Sequence, residues 1–387
     1  MYRTQVRTEQ RTLKKFILET RFRLLILPTL AATSMLLPAC KSFEYADGCE
    51  PMKKNCDACL NRMIDDGLAE CIGAAVVSKD RLVYTYHKTN GKRPEYAKVG
   101  PDSTFAVASV SKIYMATCLM MLAEDGSIAL SDKVQRYIPE YPHPDVQIIH
   151  LMTHTSGDNG KSTALSNIAD FYKQDAPLDW NPGEKCRYFN QGYIILTDLL
   201  QRVTGQALED FAQERIFRPL GMSRTSFLGK YVSDSDVAGV QNGENFVYKV
   251  PGPSNHVGSG DAGLRSTPED MVKFGAELLR IYKTGKRGIL SPLTVTAMFR
   301  RCPPPEANRS PVFYMKTDDG EDHGFNRFFL GAFTSSSACG HTGASGCMLV
   351  IDPENDFTYA VLTNSPTLHG DCPSYQRMSN VFSANLP

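Results

Sequence analysis

The chain has 387 residues, 42% hydrophobic and 22% charged, with Lys plus Arg equal to Asp plus Glu at 42 each. That is enough apolar material for a sizeable core, and it excludes a disordered or low-complexity chain. The even charge balance excludes a whole-chain attraction to nucleic acid or to an anionic surface.

Charge does cluster at the start. Arg3, Arg7, Arg11, Lys14, Lys15, Arg21 and Arg23 face only Glu9 and Glu19, and an apolar run over residues 24–39 follows, broken by Pro28 and closed by Cys40. Basic, then apolar, then small is the layout of a secretory signal. The run is too short and too proline-broken for a membrane-spanning helix. Leu37-Pro38-Ala39-Cys40 resembles a bacterial lipobox, in which the cysteine becomes the lipidated first residue of the mature protein. The expectation is therefore a signal peptide over residues 1–39, a polar tether over 40–55 and a catalytic domain over 56–387. The product would be exported to the cell envelope and held at a membrane, facing the periplasm or the cell surface, if Cys40 is acylated.

Eleven cysteines fit an exported protein, and setting Cys40 aside leaves an even number. Cys49, Cys56, Cys59 and Cys71 crowd the mature N-terminus and read as disulfide partners. Cys56-Asp57-Ala58-Cys59 has zinc-ligand spacing, but no second pair follows, so no metal is expected. Cys118 lies in an apolar stretch and reads as a buried thiol.

The folded part is expected to begin near Cys56 with a short helix. Residues 72–77 and 81–86 read as two strands joined by a tight turn at Ser78-Lys79-Asp80. Apolar residues at helical spacing run from 110 to 122 and stop at Asp125-Gly126. Further helical patterns cover residues 191–203, 208–216 and 268–282, the last opened by Pro268 with Ser266 or Thr267 as its cap. Strand character returns at residues 328–333, 347–351 and 357–362. Strands at both ends with helices between predict an α/β (α+β) fold in which both chain ends build one sheet, beside a helical insert.

Ser109-Val110-Ser111-Lys112 is the only Ser-x-x-Lys in the chain. At the start of a helix, positions three apart share a face, so hydroxyl and amine can meet. A serine needs a neighbouring base to become a nucleophile, and a desolvated lysine can serve. Taken alone, the pair reads better as a helix cap and a surface charge than as a catalytic pair. Two later elements change that: Tyr188-Phe189-Asn190, the only Tyr-x-Asn, and His341-Thr342-Gly343, just ahead of the late strands.

Together and in this order, the three boxes resemble the signature of the serine β-lactamase and penicillin-binding protein superfamily. The tyrosine in the second box resembles class C β-lactamases and DD-peptidases. The histidine in the third points to the DD-peptidase, D-aminopeptidase and esterase branches. The segments 105–108, 151–157, 216–222 and 262–270 extend the likeness over roughly residues 60–365. The resemblance implies a β-lactamase-like antiparallel sheet flanked by helices, with the site between sheet and helical insert. It also implies an acyl-enzyme mechanism: Ser109 as nucleophile, Lys112 or Tyr188 as its base, and the backbone amides of Ser109 and Ala344 as oxyanion donors. Asn190 would bind the substrate amide and orient Lys112. His341, Thr342 and Gly343 would line the opposite wall and meet the substrate's terminal group.

Other routes to function find less support. Lys283-Thr284-Gly285 spells the better-known third box, yet lysine in a last helical turn followed by glycine is ordinary helix-ending chemistry. His150 and His154 are four apart, with no glutamate between them for a zincin. No Gly-x-Ser-x-Gly and no phosphate-cradling glycine loop is present, so no cofactor is called for. The expected substrate is a D-amino-acid peptide, which makes the chain a DD-carboxypeptidase or a related D-amino-acid peptidase. The alternatives are a broad esterase, a weak β-lactamase acting on β-lactams, or a penicillin-binding sensor that acylates without turnover.

Overall fold

Two apolar stretches begin the main sheet of the computed structural model, which describes residues 43–46, 49–92, 99–158, 168–173, 177–227, 237–238, 259–303, 308–316, 329–369 and 371–387. The basic leader, the apolar run and Cys40 lie outside the described residues. Strand β1, Cys71–Ser78, is buried along its whole length, as its Ile-Gly-Ala-Ala-Val-Val run demands. It turns into β2, Arg81–Thr89, through Lys79 and Asp80 at φ 50° and 62°. Two successive left-handed residues make the mirror-image turn whose twist matches that of the flanking strands.

A small three-stranded sheet follows, from β3 (Thr104–Ala106), β4 (Val237–Ala238) and β5 (Arg265–Ser266). The chain then returns to the first sheet with β6 (Tyr314–Met315), β7 (Cys339–Thr342), β8 (Met348–Asp352) and β9 (Phe357–Thr363). The six-stranded sheet runs β2-β1-β9-β8-β7-β6, antiparallel throughout. β1 and β9 pair from Ile72 opposite Thr363 to Ser78 opposite Phe357, so both chain ends meet at its centre, as expected.

Helices cover both faces. α1 (Glu50–Asp65) and the last helix share one core with Ile72, Ala74 and Val76. On the opposite face Cys71, Ala75 and Val77 pack with α2 (Ser111–Glu124), α3 (Asn190–Thr204) and α4 (Pro268–Thr284). This is the two-residue alternation of a strand reading out two cores. α4 lies so close to β9 that a Cβ at Gly275 would stand 2.2 Å from Thr358 Oγ1. α2 is buried on every side from Ser111 to Leu122, which makes it the spine of the helical layer. The last helix, α5, is Cys372–Ala384.

Three expectations need correction. α1 begins at Glu50, so residues 50–55, read as tether, belong to the fold: Pro51 suits a first helical turn and Met52 is buried. Residues 329–333, expected as a strand, form turns instead. Their backbone donors are taken by α5, with Gly331 N–H on Ser379 Oγ at 2.8 Å and Phe333 N–H on Asn380 Oδ1 at 3.2 Å. The strand partner of β7 is the two-residue β6. Finally, Cys56, Cys59 and Cys71 are free thiols. Cys56 and Cys59, three apart on α1, both turn into the apolar core, and burial holds their thiols protonated. Cys118 is the buried thiol expected, pushed up to about 12 by burial.

Candidate active site

The nucleophile turn is strained and tightly held. After β3, Val107 N–H reaches the Leu264 carbonyl at 3.1 Å, and Ala108 takes a left-handed φ of 48°. Such a conformation in a residue with a Cβ costs on the order of 1 kcal/mol and persists only where neighbours enforce it. The Ser111 hydroxyl does so by donating to the Ala108 carbonyl at 2.6 Å. Gly343 covers the other side: a Cβ there would stand 2.2 Å from the Val107 carbonyl oxygen. The third box can therefore cross the nucleophile turn only as glycine. A single 3₁₀ turn, Ala108–Val110, then delivers half-buried Ser109 to the head of α2.

Lys112 is fully buried and donates to three acceptors: Ser109 Oγ at 3.2 Å, Asn190 Oδ1 at 2.8 Å and the Asp261 carbonyl at 2.8 Å. Asn190 is the first residue of α3, so two helix N-termini converge on one amine. Burial pulls the lysine down to about 7; Arg309 reinforces the shift and Asp261 opposes it. An amine with that pKa is about half neutral at pH 7, so it can accept a proton from the serine it touches. The Lys112 Nζ also lies 4.9 Å from the centroid of the Tyr188 ring and 5.5 Å from that of Tyr193.

β7 supplies the opposite wall. His341 is fully buried, with Nδ1 2.6 Å from the Thr342 carbonyl and its ring 4.9 Å from Tyr314 and 6.3 Å from Tyr188. Burial, Arg309 and Lys112 all push its pKa well below the ordinary histidine value, so the ring is neutral. Thr342 is buried, whereas Ala344 is exposed in the turn that Gly346 N–H closes on the Gly343 carbonyl at 2.9 Å. The structure thus brings Ser109, Lys112, Tyr188, Asn190, His341 and Gly343 around one point. The alternative Lys283-Thr284-Gly285 simply ends α4, with Gly285 at φ 63° and Lys283 paired to Asp356 at 2.6 Å. His150 Nδ1 is used by the Gln147 N–H at 3.1 Å, in a cap of the short helix Ile148–Met152.

Sequence reading missed three contributors. The Asp261 carbonyl is a backbone atom and leaves no signature in side-chain identity. Tyr193 sits one helical turn beyond Asn190 and looked like ordinary core. Arg309, fully buried, stacks 3.9 Å above the Tyr314 ring, and its charge reaches Tyr193. No motif surrounds it in Asn308-Arg309-Ser310. Arg265 forms part of β5, where its backbone pairs with Ser226.

The chain is similar to known proteins in sequence and in fold. Residues 60–376 match the beta-lactamase family. Penicillin-binding protein 4* of Bacillus subtilis (strain 168) is 27% identical over 54% of this chain and 52% of its own, so the chain spans about half the length of that relative. A protein of Escherichia coli (strain K12), provisionally named a D-alanyl-D-alanine carboxypeptidase, is 25% identical over 86% of both chains. Two solved structures show the same fold at TM-score 0.70. One is EstCE1, described as a hydrolase with promiscuous acyltransferase activity, at 19% identity over 87% of this chain and all of that one. The other is a penicillin-binding protein homologue from Caulobacter crescentus, at 18% identity over 89% of this chain and 99% of that one. The chain belongs to the beta-lactamase family of serine hydrolases, in the superfamily that also holds the penicillin-binding proteins.

Proposed function

We propose that this protein is a DD-carboxypeptidase-like hydrolase that acylates Ser109 with a D-amino-acid peptide and releases the acyl group to water. The observation that carries the reading is the contact between Ser109 and a buried lysine whose pKa lies near 7. Ser109 Oγ attacks the carbonyl as Lys112 takes its proton, and Tyr188 returns a proton to the departing amine. The amides of Ser109 and Ala344 hold the oxyanion, and Asn190 binds the substrate amide. Arg309, whose charge reaches Lys112 and His341, makes this wall favourable for a substrate ending in a carboxylate. Neutral His341 supplies no charge of its own, which weighs against efficient β-lactam destruction.

A time course with a fluorescent penicillin, run beside a peptide ending in D-Ala-D-Ala, separates the activities. A lasting label together with release of D-alanine is the expected result. Rapid loss of label would mean a β-lactamase. Lasting label without release of D-alanine would mean a sensor, and turnover of a chromogenic ester with neither would mean an esterase.

We further propose that the chain is exported and anchored through Cys40; the basic leader, apolar run and cysteine support this. Cys40→Ala is then expected to move the protein from the membrane to the soluble fraction, and an unchanged distribution would refute the anchor.

A further inference from the structure

The stretch that carries Tyr188 has no regular secondary structure from residue 177 until α3 begins, so something else must fix the phenol. That support is the loop at residues 153–157, part of a motif that the chemistry above leaves unused. Asp179 N–H bonds the Gly157 carbonyl at 2.8 Å and Gly183 N–H bonds the Thr155 carbonyl at 2.8 Å. The last two rungs both end on His154. Arg187 N–H donates to its carbonyl at 2.9 Å, and Phe189 N–H donates to its Nδ1 at 3.1 Å. Between them, the His154 ring packs 4.5 Å from the Tyr188 ring.

We propose that His154 is the positioning residue for Tyr188: its carbonyl and imidazole grip the backbone on either side of the tyrosine while its ring packs against the phenol. Its backbone shows how specialised the position is. His154 stands at φ 61°, a left-handed conformation that histidine, asparagine and aspartate tolerate better than most residues. Both rungs run from that turn to the same passing segment, one from the carbonyl and one from the side chain. Accepting from Phe189 also fixes the tautomer: the neutral ring carries its proton on Nε2. Burial, with Arg309, Lys112 and His341 nearby, keeps the ring neutral and therefore able to accept.

The inference rests on Tyr188 taking part in acylation, and the test separates the two. Acylation rates by fluorescent penicillin are compared for wild type, Tyr188→Phe, His154→Asn, His154→Gly and the double variant His154→Gly/Tyr188→Phe. Asparagine keeps both the left-handed backbone and an acceptor near Nδ1, whereas glycine keeps only the backbone. His154→Asn is expected to stay within about threefold of wild type. His154→Gly is expected to fall by about 100-fold, the scale of a misplacement near 1 Å. Because His154 acts through the phenol, the double variant should be no slower than the slower single one. Additive losses would overturn the proposal. So would equal rates for the asparagine and glycine variants, or a glycine variant that does not fold, since the grip would then serve the domain and not the tyrosine. A wild-type rate in Tyr188→Phe removes the tyrosine's role and this inference with it. An impaired Tyr188→Phe beside a wild-type His154→Gly removes the inference alone.

Discussion

Ser109→Ala is expected to abolish covalent labelling by a fluorescent penicillin and to lower turnover by on the order of 10⁶-fold, the scale seen when a serine nucleophile is removed. The loss would be chemical and not structural. The Ser109 side chain is half-buried and its hydroxyl meets the Lys112 amine, while the turn itself is held by backbone bonds and by Ser111. The melting temperature should therefore stay close to that of wild type. Ser111 is the only hydroxyl near enough in sequence to compete, but it is buried and committed. It donates to the Ala108 carbonyl and accepts from the Leu264 N–H at 3.0 Å. Persistent labelling of the alanine variant would refute Ser109 as the nucleophile.

Lys112→Arg should also be severely damaging, though less so, with a loss of about 10³-fold in kcat/KM, inside the range for removal of a general base. Arginine keeps the charge and much of the stem, but its pKa above 12 leaves it no neutral form near pH 7. Wild-type activity should rise with pH through about 7, because only the neutral amine can accept the serine proton and its pKa lies there. In the arginine variant that acid-side limb should disappear together with the rate. Lys112→Met serves as the uncharged comparison and should be equally inactive. An arginine variant that keeps both the rate and the limb would move the base elsewhere, with Tyr188 the first group to test.

Most of the site could be read from residue identity because its logic is local. Ser109 and Lys112 are joined by one helical turn, and His341 lies on the strand β7, whereas Lys283 ends a helix. The helix boundaries followed the same local rules, with Thr267 accepting from the Asp270 N–H at 3.2 Å and Gly205 and Gly285 closing their helices in left-handed geometry. What escaped is what only tertiary structure assembles. Arg309 gains its place by stacking on Tyr314, and Asp261 contributes a carbonyl that any residue could supply. The apolar run at 329–333 matched a strand by composition, but α5 captured its donors first. The cysteines near the N-terminus showed count and spacing, and neither reports that helical geometry turns Cys56 and Cys59 inward as packing groups.

The burial of Lys112 also acts on the folding equilibrium. In the unfolded chain its amine titrates near 10.5, and in the native protein near 7. Below its native pKa the unfolded state thus binds this proton more tightly, which disfavours folding by roughly 5 kcal/mol, given about 1.4 kcal/mol for each unit of the displacement from 10.5 to about 7. The deficit is full below pH 7 and fades as the pH climbs from there toward 10.5. Domains of ordinary size are stable by only about 5–15 kcal/mol in total. One side chain therefore carries a cost comparable in size to the net stability of an ordinary domain. Readiness of the lysine at neutral pH and resistance of the domain to unfolding are opposed properties of the same buried amine.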